Sequence, residues 1–271
     1  MDITRKLPEE CIADIISKTS PPDACRMSLV SRTFRSAAAS NLVWEALLPP
    51  DHQQIISESV SSSSSLNILS MKDLYFSLCD NPILISNGKR SFTIHKWSGK
   101  KCYMLGAREL GVIWGDTSQY WIGVPYTIMC RFSEVAHLVD VCWLHVWGLI
   151  ETKILSPNTR YGAYLIYTIG DQPHGLDKPV KLLVRFLDEI RCDYINAYLL
   201  SRTSMDDAPE DEDARFPRDR EDMWMEIEMG EFFNHHQVDR VVEMHLRETE
   251  VLNWKSGLVI HGIEVRPKDL R

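Results

Sequence analysis

Apolar positions in the first fifty residues recur at helical spacing. Cys11, Ile12, Ile15 and Ile16 fall on one face and Pro8 suits a first turn, which predicts a short helix. Pro21-Pro22 then breaks the chain. Met27, Leu29 and Val30, followed by Phe34 with alanines 37 to 39 and by Leu42, Val43 and Trp44, mark further short, packed helices. The tract Ser57-Glu-Ser-Val-Ser-Ser-Ser-Ser-Ser65 is too polar and too entropic to pack, so it reads as a flexible connector. Beyond it Ser70 and Asp73 form a capping box, which predicts a helix to about Cys79 that ends at Asn81-Pro82.

From residue 90 the period changes to two. Trp143, His145 and Trp147 alternate with Leu144 and Val146, and Tyr161, Ala163, Leu165, Tyr167 and Ile169 share a face. Similar alternation marks Lys181 to Phe186, Trp224 to Met229, Val242 to Leu246 and Leu258 to Val265. Many short strands with turns between them predict a β-sandwich or barrel. The expected organisation is therefore α + β and multidomain: a small all-α unit over 1–50, a Ser-rich linker with a connecting helix over 51–89, and an all-β sandwich over 90–271. The acid-rich run Asp206 to Asp213 repels itself and should form a solvated loop.

Charge and cysteine usage narrow the function. Of 271 residues, 30 are Lys or Arg and 38 are Asp or Glu, and the net charge of −8 argues against a general grip on nucleic acid or an anionic membrane. The chain start carries acids and a proline where a secretory signal needs an apolar core, and no stretch is apolar enough to span a membrane. The cysteines are spread singly without a Cys-x-x-Cys pair, which predicts buried thiols in a reducing compartment, cytoplasmic or nuclear.

Candidate chemistry is sparse. His235-His236 is the one adjacent histidine pair, and its side chains would diverge on an extended chain, so no metal or other cofactor is expected. There is no nucleophile elbow and no Gly-rich phosphate loop. Glu226 and Glu228 stand two apart on one strand face, a spacing that overlaps that of a glycosidase acid and base, with Glu231 close behind. The plainer reading is a polar strand face. Trp114-Gly-Asp-Thr-Ser-Gln-Tyr120-Trp121 places three rings around a polar turn, which suits either a sugar platform or ordinary core packing.

Two family resemblances add to this. Leu7-Pro-Glu-Glu-Cys-Ile-Ala-Asp-Ile-Ile16, Ser20-Pro-Pro-Asp-Ala-Cys25, Ser28-Leu-Val-Ser-Arg-Thr-Phe-Arg35 and Leu42-Val-Trp44 resemble an F-box. That resemblance implies docking on a Skp-type adaptor, and through it on a cullin, by Leu7, Pro8, Ile15, Leu29, Val30 and Trp44. Phe34 stands where many F-boxes carry tryptophan.

Residues from about Arg90 to Lys268 resemble the phloem-type plant lectins, the Nictaba-like or phloem protein 2-like domain. The matching stretches are Cys102 to Leu110, Val112 to Asp116 with Tyr120-Trp121, Trp224 to Phe233, and above all Lys255 to Lys268. The resemblance implies a jelly-roll-like sandwich that binds N-acetylglucosamine oligomers or N-glycan cores through Trp114 and Trp121, with Glu226 and Glu231 as acceptors. Gly123 replaces a third tryptophan of the archetypal lectin, so one wall of such a site would be missing. The acidic run replaces its lysine-rich nuclear signal. Together the resemblances imply a non-catalytic substrate receptor of an SCF ubiquitin ligase whose sandwich selects target proteins, N-glycosylated ones among them. The competing reading is a stand-alone nucleocytoplasmic lectin, and a carbohydrate-active enzyme using Glu226 and Glu228 comes third.

Overall fold

The computed structural model describes residues 7–60, 66–125, 130–190, 193–202, 213–235 and 238–268. The chain divides into two compact units. One comprises Met1–Asn87 with Phe92–Cys102, and the other Gly88–Ser91 with Tyr103–Arg271.

The first unit holds α1 (Glu9–Ser17), α2 (Pro21–Met27), α3 (Arg32–Ala39), α4 (Asn41–Leu47), α5 (His52–Ser57), α6 (Met71–Asp80) and the strand β1 (Ile83–Ile85). Serine hydroxyls start four of these helices. Ser20, Ser31, Ser40 and Ser70 accept from the N–H groups of Asp23, Phe34, Leu42 and Asp73, so donors left orphaned by the helix geometry find partners locally. Pro21 and Pro22 open α2 rather than merely ending α1, because a first turn needs no N–H from them. The apolar face expected for α1 splits: Ile12 and Ile16 are buried, whereas Cys11 and Ile15 face solvent.

The segment expected to be a linker is largely built into this unit. Ile55 and Ile56 of α5 and Leu74, Tyr75 and Leu78 of α6 are buried, and α6 packs on α4 through Trp44, Tyr75 and Phe76. Forty-odd residues bury too little surface to close a core alone, and the added helices supply the missing wall. Within the serine tract, residues 61–65 lie outside the described residues.

The strand β2 (Arg90–Ile94) leads into the rest of the chain. The second unit contains β3 (Lys101–Gly106) from Tyr103 onward, β4 (Gly111–Val112), β5 (Trp121–Pro125), β6 (Glu134–Leu138), β7 (Leu144–Glu151), β8 (Thr159–His174) and β9 (Val180–Phe186). It continues with β10 (Ile195–Ala197), β11 (Arg218–Asp219), β12 (Met225–Asn234), β13 (Val241–Glu248) and β14 (Ser256–Pro267). These form two antiparallel sheets. In one, β3, β14, β8, β12 and β11 are neighbours in that order, and β6 joins β14 with β5 outside it. The other runs β10-β9-β13-β7-β4.

The sheets face each other across a buried apolar core. Leu105, Leu165, Ile227, Met229, Ile263 and Val265 from one oppose Leu144, Val146, Leu182, Val242, Met244 and Leu246 from the other, all buried. A Cβ on Gly230 would come within 2.9 Å of Val184, and one on Gly148 within 3.0 Å of Leu105, so neither position has room for a side chain between the sheets. Near one end Lys255, only 1% exposed, pairs with Glu248 and donates to the carbonyls of Asn253 at 2.7 Å and Cys142 at 3.3 Å. The expectation of uniformly buried thiols is corrected. Cys102 is buried, but Cys11 and Cys25 are exposed because they fall on the outer faces of α1 and α2. Cys192 lies outside the described residues.

Candidate functional site

The helical unit presents an apolar surface that its own packing leaves uncovered. Leu29 is 77% exposed and Val30 65%, in the turn between α2 and α3, where their N–H groups bond to Arg26 and Met27 carbonyls. Leu7, Pro8 and Ile15 at the start and on the outer face of α1 are exposed as well, as is Leu42 on α4. Five of the six residues predicted for adaptor contact therefore face solvent. The sixth does not. Trp44 is 1% exposed, its indole N–H donates to the Ala38 carbonyl at 2.7 Å, and its ring lies 5.2 Å from both Tyr75 and Phe76. It belongs to the core, and Leu42 takes its place on the surface. Positions 42 and 44 lie about 200° apart on a helix, so once Trp44 is inside, Leu42 must point out. That spacing was readable, and only the choice of which face is buried was not.

In the sandwich the predicted sugar residues fall apart. Trp114, with φ of 62°, is 58% exposed on the turn before β5, its ring 6.1 Å from Tyr120. Trp121 opens β5 and is 4% exposed. The pair therefore offers one open ring rather than two. Beside Trp121 lies a cleft of about 520 Å³, also lined by Leu110, Gly111, Asp116, Gly123, Glu134 and Trp147, with Trp114 not among the lining residues. Gly111 lets the Trp147 indole lie against the backbone, since a Cβ there would fall 2.1 Å from the ring. Gly123 leaves the cleft open, and its Cβ would sit 3.1 Å from Glu134 Oε1. Glu134 accepts from Arg108 Nε at 2.9 Å, whereas Asp116 makes no ion pair among the described residues.

The carboxylates stand elsewhere. Glu226 is four strands from Trp121 along β5, β6, β14, β8 and β12, roughly 19 Å at ordinary strand spacing. A bulge between Glu228 and Gly230 shifts the alternation by one, which brings Glu231 onto the same outer face as Glu226 and Glu228. All three are engaged. Arg266 donates to both Glu226 oxygens at 2.8 and 2.9 Å and Arg220 to one of them at 2.8 Å. Lys268 bridges Glu228 and Glu231 at 2.9 Å, and Arg160 also pairs with Glu231. Burial opposes ionisation of Glu226, but Arg266 and then Arg220 hold its pKa below the ordinary value. A carboxyl kept ionised in this way cannot serve as a general acid near neutrality. The neighbouring Glu264 is more extreme. It is buried, yet Arg131, Arg266 and Arg220 hold it down to about 2. Among the described residues no group of three or more His, Cys, Asp or Glu side chains is placed to hold a metal, and His236 lies outside them.

Comparison with known proteins gives these surfaces a context. A family model described as the F-box domain matches residues 5–46, and one described as phloem protein 2 matches residues 100–267. The chain belongs to the F-box proteins that carry a phloem protein 2 domain. Among its relatives in Arabidopsis thaliana, F-box protein At2g02240 is 42% identical over 96% of this chain and 79% of its own. F-box protein PP2-B10 is 40% identical over 96% and 92%, and F-box protein VBF 39% over 97% and 99%. Among solved structures, a family 35 carbohydrate-binding module from Clostridium thermocellum overlays 60% of this chain at 8% identity and a TM-score of 0.33, too distant to bear on function. The F-box match falls on the helices that expose Leu29 and Val30. The phloem protein 2 match contains the cleft and the carboxylate face. F-box proteins are in general non-catalytic adaptor subunits.

Proposed function

We propose that this protein is the target-binding subunit of an SCF ubiquitin ligase, with the F-box helices docking on a Skp-type adaptor and the phloem protein 2 sandwich selecting the protein to be ubiquitinated. The observation that carries this is the exposed apolar set Leu7, Pro8, Ile15, Leu29, Val30 and Leu42 on helices that match the F-box model. A monomer gains nothing from leaving Leu29 and Val30 in water, whereas burial against a partner stabilises by about 1.5–3 kcal/mol per side chain. The chain itself performs no bond-making step. It raises the effective concentration of target lysines near a ubiquitin-charged enzyme brought by the cullin, in the cytoplasm or nucleus.

The stand-alone lectin alternative draws on Trp114 and Trp121, and the burial of Trp121 weakens it. It also leaves the helical apolar surface without a role. Co-purification of the full chain with a Skp-type adaptor, wild type against Leu29→Asp/Val30→Asp, tests the proposal. The double substitution should lower adaptor affinity about a hundredfold, with the helical unit still folded. Failure of the wild type to bind any such adaptor would refute it.

A further inference from the structure

Among the described residues, the main chain of β5 has no strand partner on the side away from β6. Val139 N–H donates to the Tyr120 carbonyl at 2.9 Å, and β5 pairs with β6 in the register Trp121↔Leu138, Gly123↔Ala136. In an antiparallel ladder alternate residues bond to the neighbour, so Tyr120, Ile122 and Val124 face β6 while Trp121, Gly123 and Pro125 aim their main chain outward. The N–H of Trp121 fits this phase, because it goes to the Thr117 carbonyl at 3.0 Å and not to β6. Pro125 has no N–H to offer. What remains outward is the Gly123 N–H and a row of carbonyls two residues apart, about 7 Å in a strand. Gly123 is exposed and has no side chain, so another backbone can approach it closely.

The cleft that holds Trp121 and Trp147 reaches β5 at Trp121, Ile122 and Gly123 and continues over Glu134, Val135 and Ala136 of β6. Its lining combines apolar Leu110, Val112 and the two indoles with three charged groups: Arg108 and Glu134, which pair with each other, and Asp116, which has no cation of its own among the described residues. A pyranose would need an open aromatic face, and Trp121, the indole that β5 itself brings, is buried. An extended peptide needs main-chain donors and acceptors along a strand edge and a pocket for one side chain, and the Gly123 N–H, the outward carbonyls and the cleft supply one donor, several acceptors and the pocket. A long basic side chain fits that pocket best, with its stem on the apolar lining and its charge at Asp116 and Glu134.

We infer that an extended segment of the target polypeptide adds as a strand to the β5 edge at Gly123 and places a lysine or arginine side chain in the adjoining cleft. The inference deepens the target-receptor reading and rests on it for the identity of the ligand as a target.

The test uses the full chain and immobilised synthetic peptides of alternating Thr and Val with a central Arg, Lys, Ala or Glu. Arg and Lys peptides should be retained about tenfold more tightly than Glu peptides. Asp116→Asn should erase most of that preference, and Gly123→Pro, which removes the outward N–H from an edge position, should weaken every peptide about tenfold. Should Gly123→Pro not fold, hydrogen exchange on the wild type decides, since bound peptide must slow the Gly123 amide. Retention indifferent to the central residue, unchanged binding by folded Gly123→Pro, an unaffected Gly123 amide, or displacement of peptide by an N-acetylglucosamine oligomer would each overturn the inference. Adaptor capture is measured on the same preparations. Its loss with peptide binding intact counts against the ligase reading alone, and the converse counts against the β5 edge alone.

Discussion

Trp44 decides whether the apolar residues of the helical unit have been sorted correctly into core and surface. In Trp44→Ala the indole leaves a fully buried site between Tyr75 and Phe76, and the Ala38 carbonyl loses its 2.7 Å donor. Truncating a buried tryptophan costs about 3–5 kcal/mol and an abandoned buried acceptor about 1 more. The sum, about 4–6 kcal/mol, is comparable to the entire stability of a small domain. The helical unit of Trp44→Ala should be substantially unfolded, while Leu29→Ala/Val30→Ala, which removes only exposed atoms, should stay within about 0.5 kcal/mol per site. Hydrogen exchange of the α4 and α6 amides isolates this unit from the sandwich, and adaptor affinity is measured in parallel. Trp44→Ala should lose exchange protection and adaptor binding together, whereas Leu29→Ala/Val30→Ala should lose binding alone. Normal protection in Trp44→Ala with weakened adaptor binding would refute the assignment of Trp44 to the core.

Three further outcomes follow from the sandwich. Glu264 is ionised down to about 2 in the folded chain and has an ordinary value of 4.5, so the unfolded chain binds the extra proton between those values. Its stabilisation is complete above about pH 4.5 and fades as pH falls toward 2, an acid-side loss of a few kcal/mol that a urea titration series should show diminished in Glu264→Gln. Glu248→Gln leaves the ammonium of Lys255 buried without its counter-charge, and should destabilise the sandwich by about 3–5 kcal/mol in equilibrium unfolding. Gly262→Ala would set a Cβ 2.1 Å from the Leu105 carbonyl oxygen on the paired strand, where only backbone can give way, and should lower thermal stability by at least about 1–3 kcal/mol.

The strand and helix pattern was legible because it is local. Period-two alternation from Trp143 to Trp147 and from Tyr161 to Ile169 became β7 and β8, and Ser70 with Asp73 began α6 where their spacing requires. The helix of α5 was not legible, because its residues His52 to Ser57 run directly into a serine tract whose composition suggested no structure.

What the sequence determined by itself was therefore the order of elements, their caps and their periodicity, together with the residues that mark the two families. Only the tertiary structure decided which side chains are available. Trp44 and Trp121 are apolar whichever way they face, and neighbours brought from α6 and from β6 put them inside. Glu226 resembles a free carboxylate until Arg266, forty residues later in the chain, closes on it from a strand two places away. The open main chain at Gly123 likewise depends on which side of β5 is taken by β6. Availability is a property of the contacts a residue has already made. Contacts between distant strands are set by register and sheet order, which local periodicity does not carry.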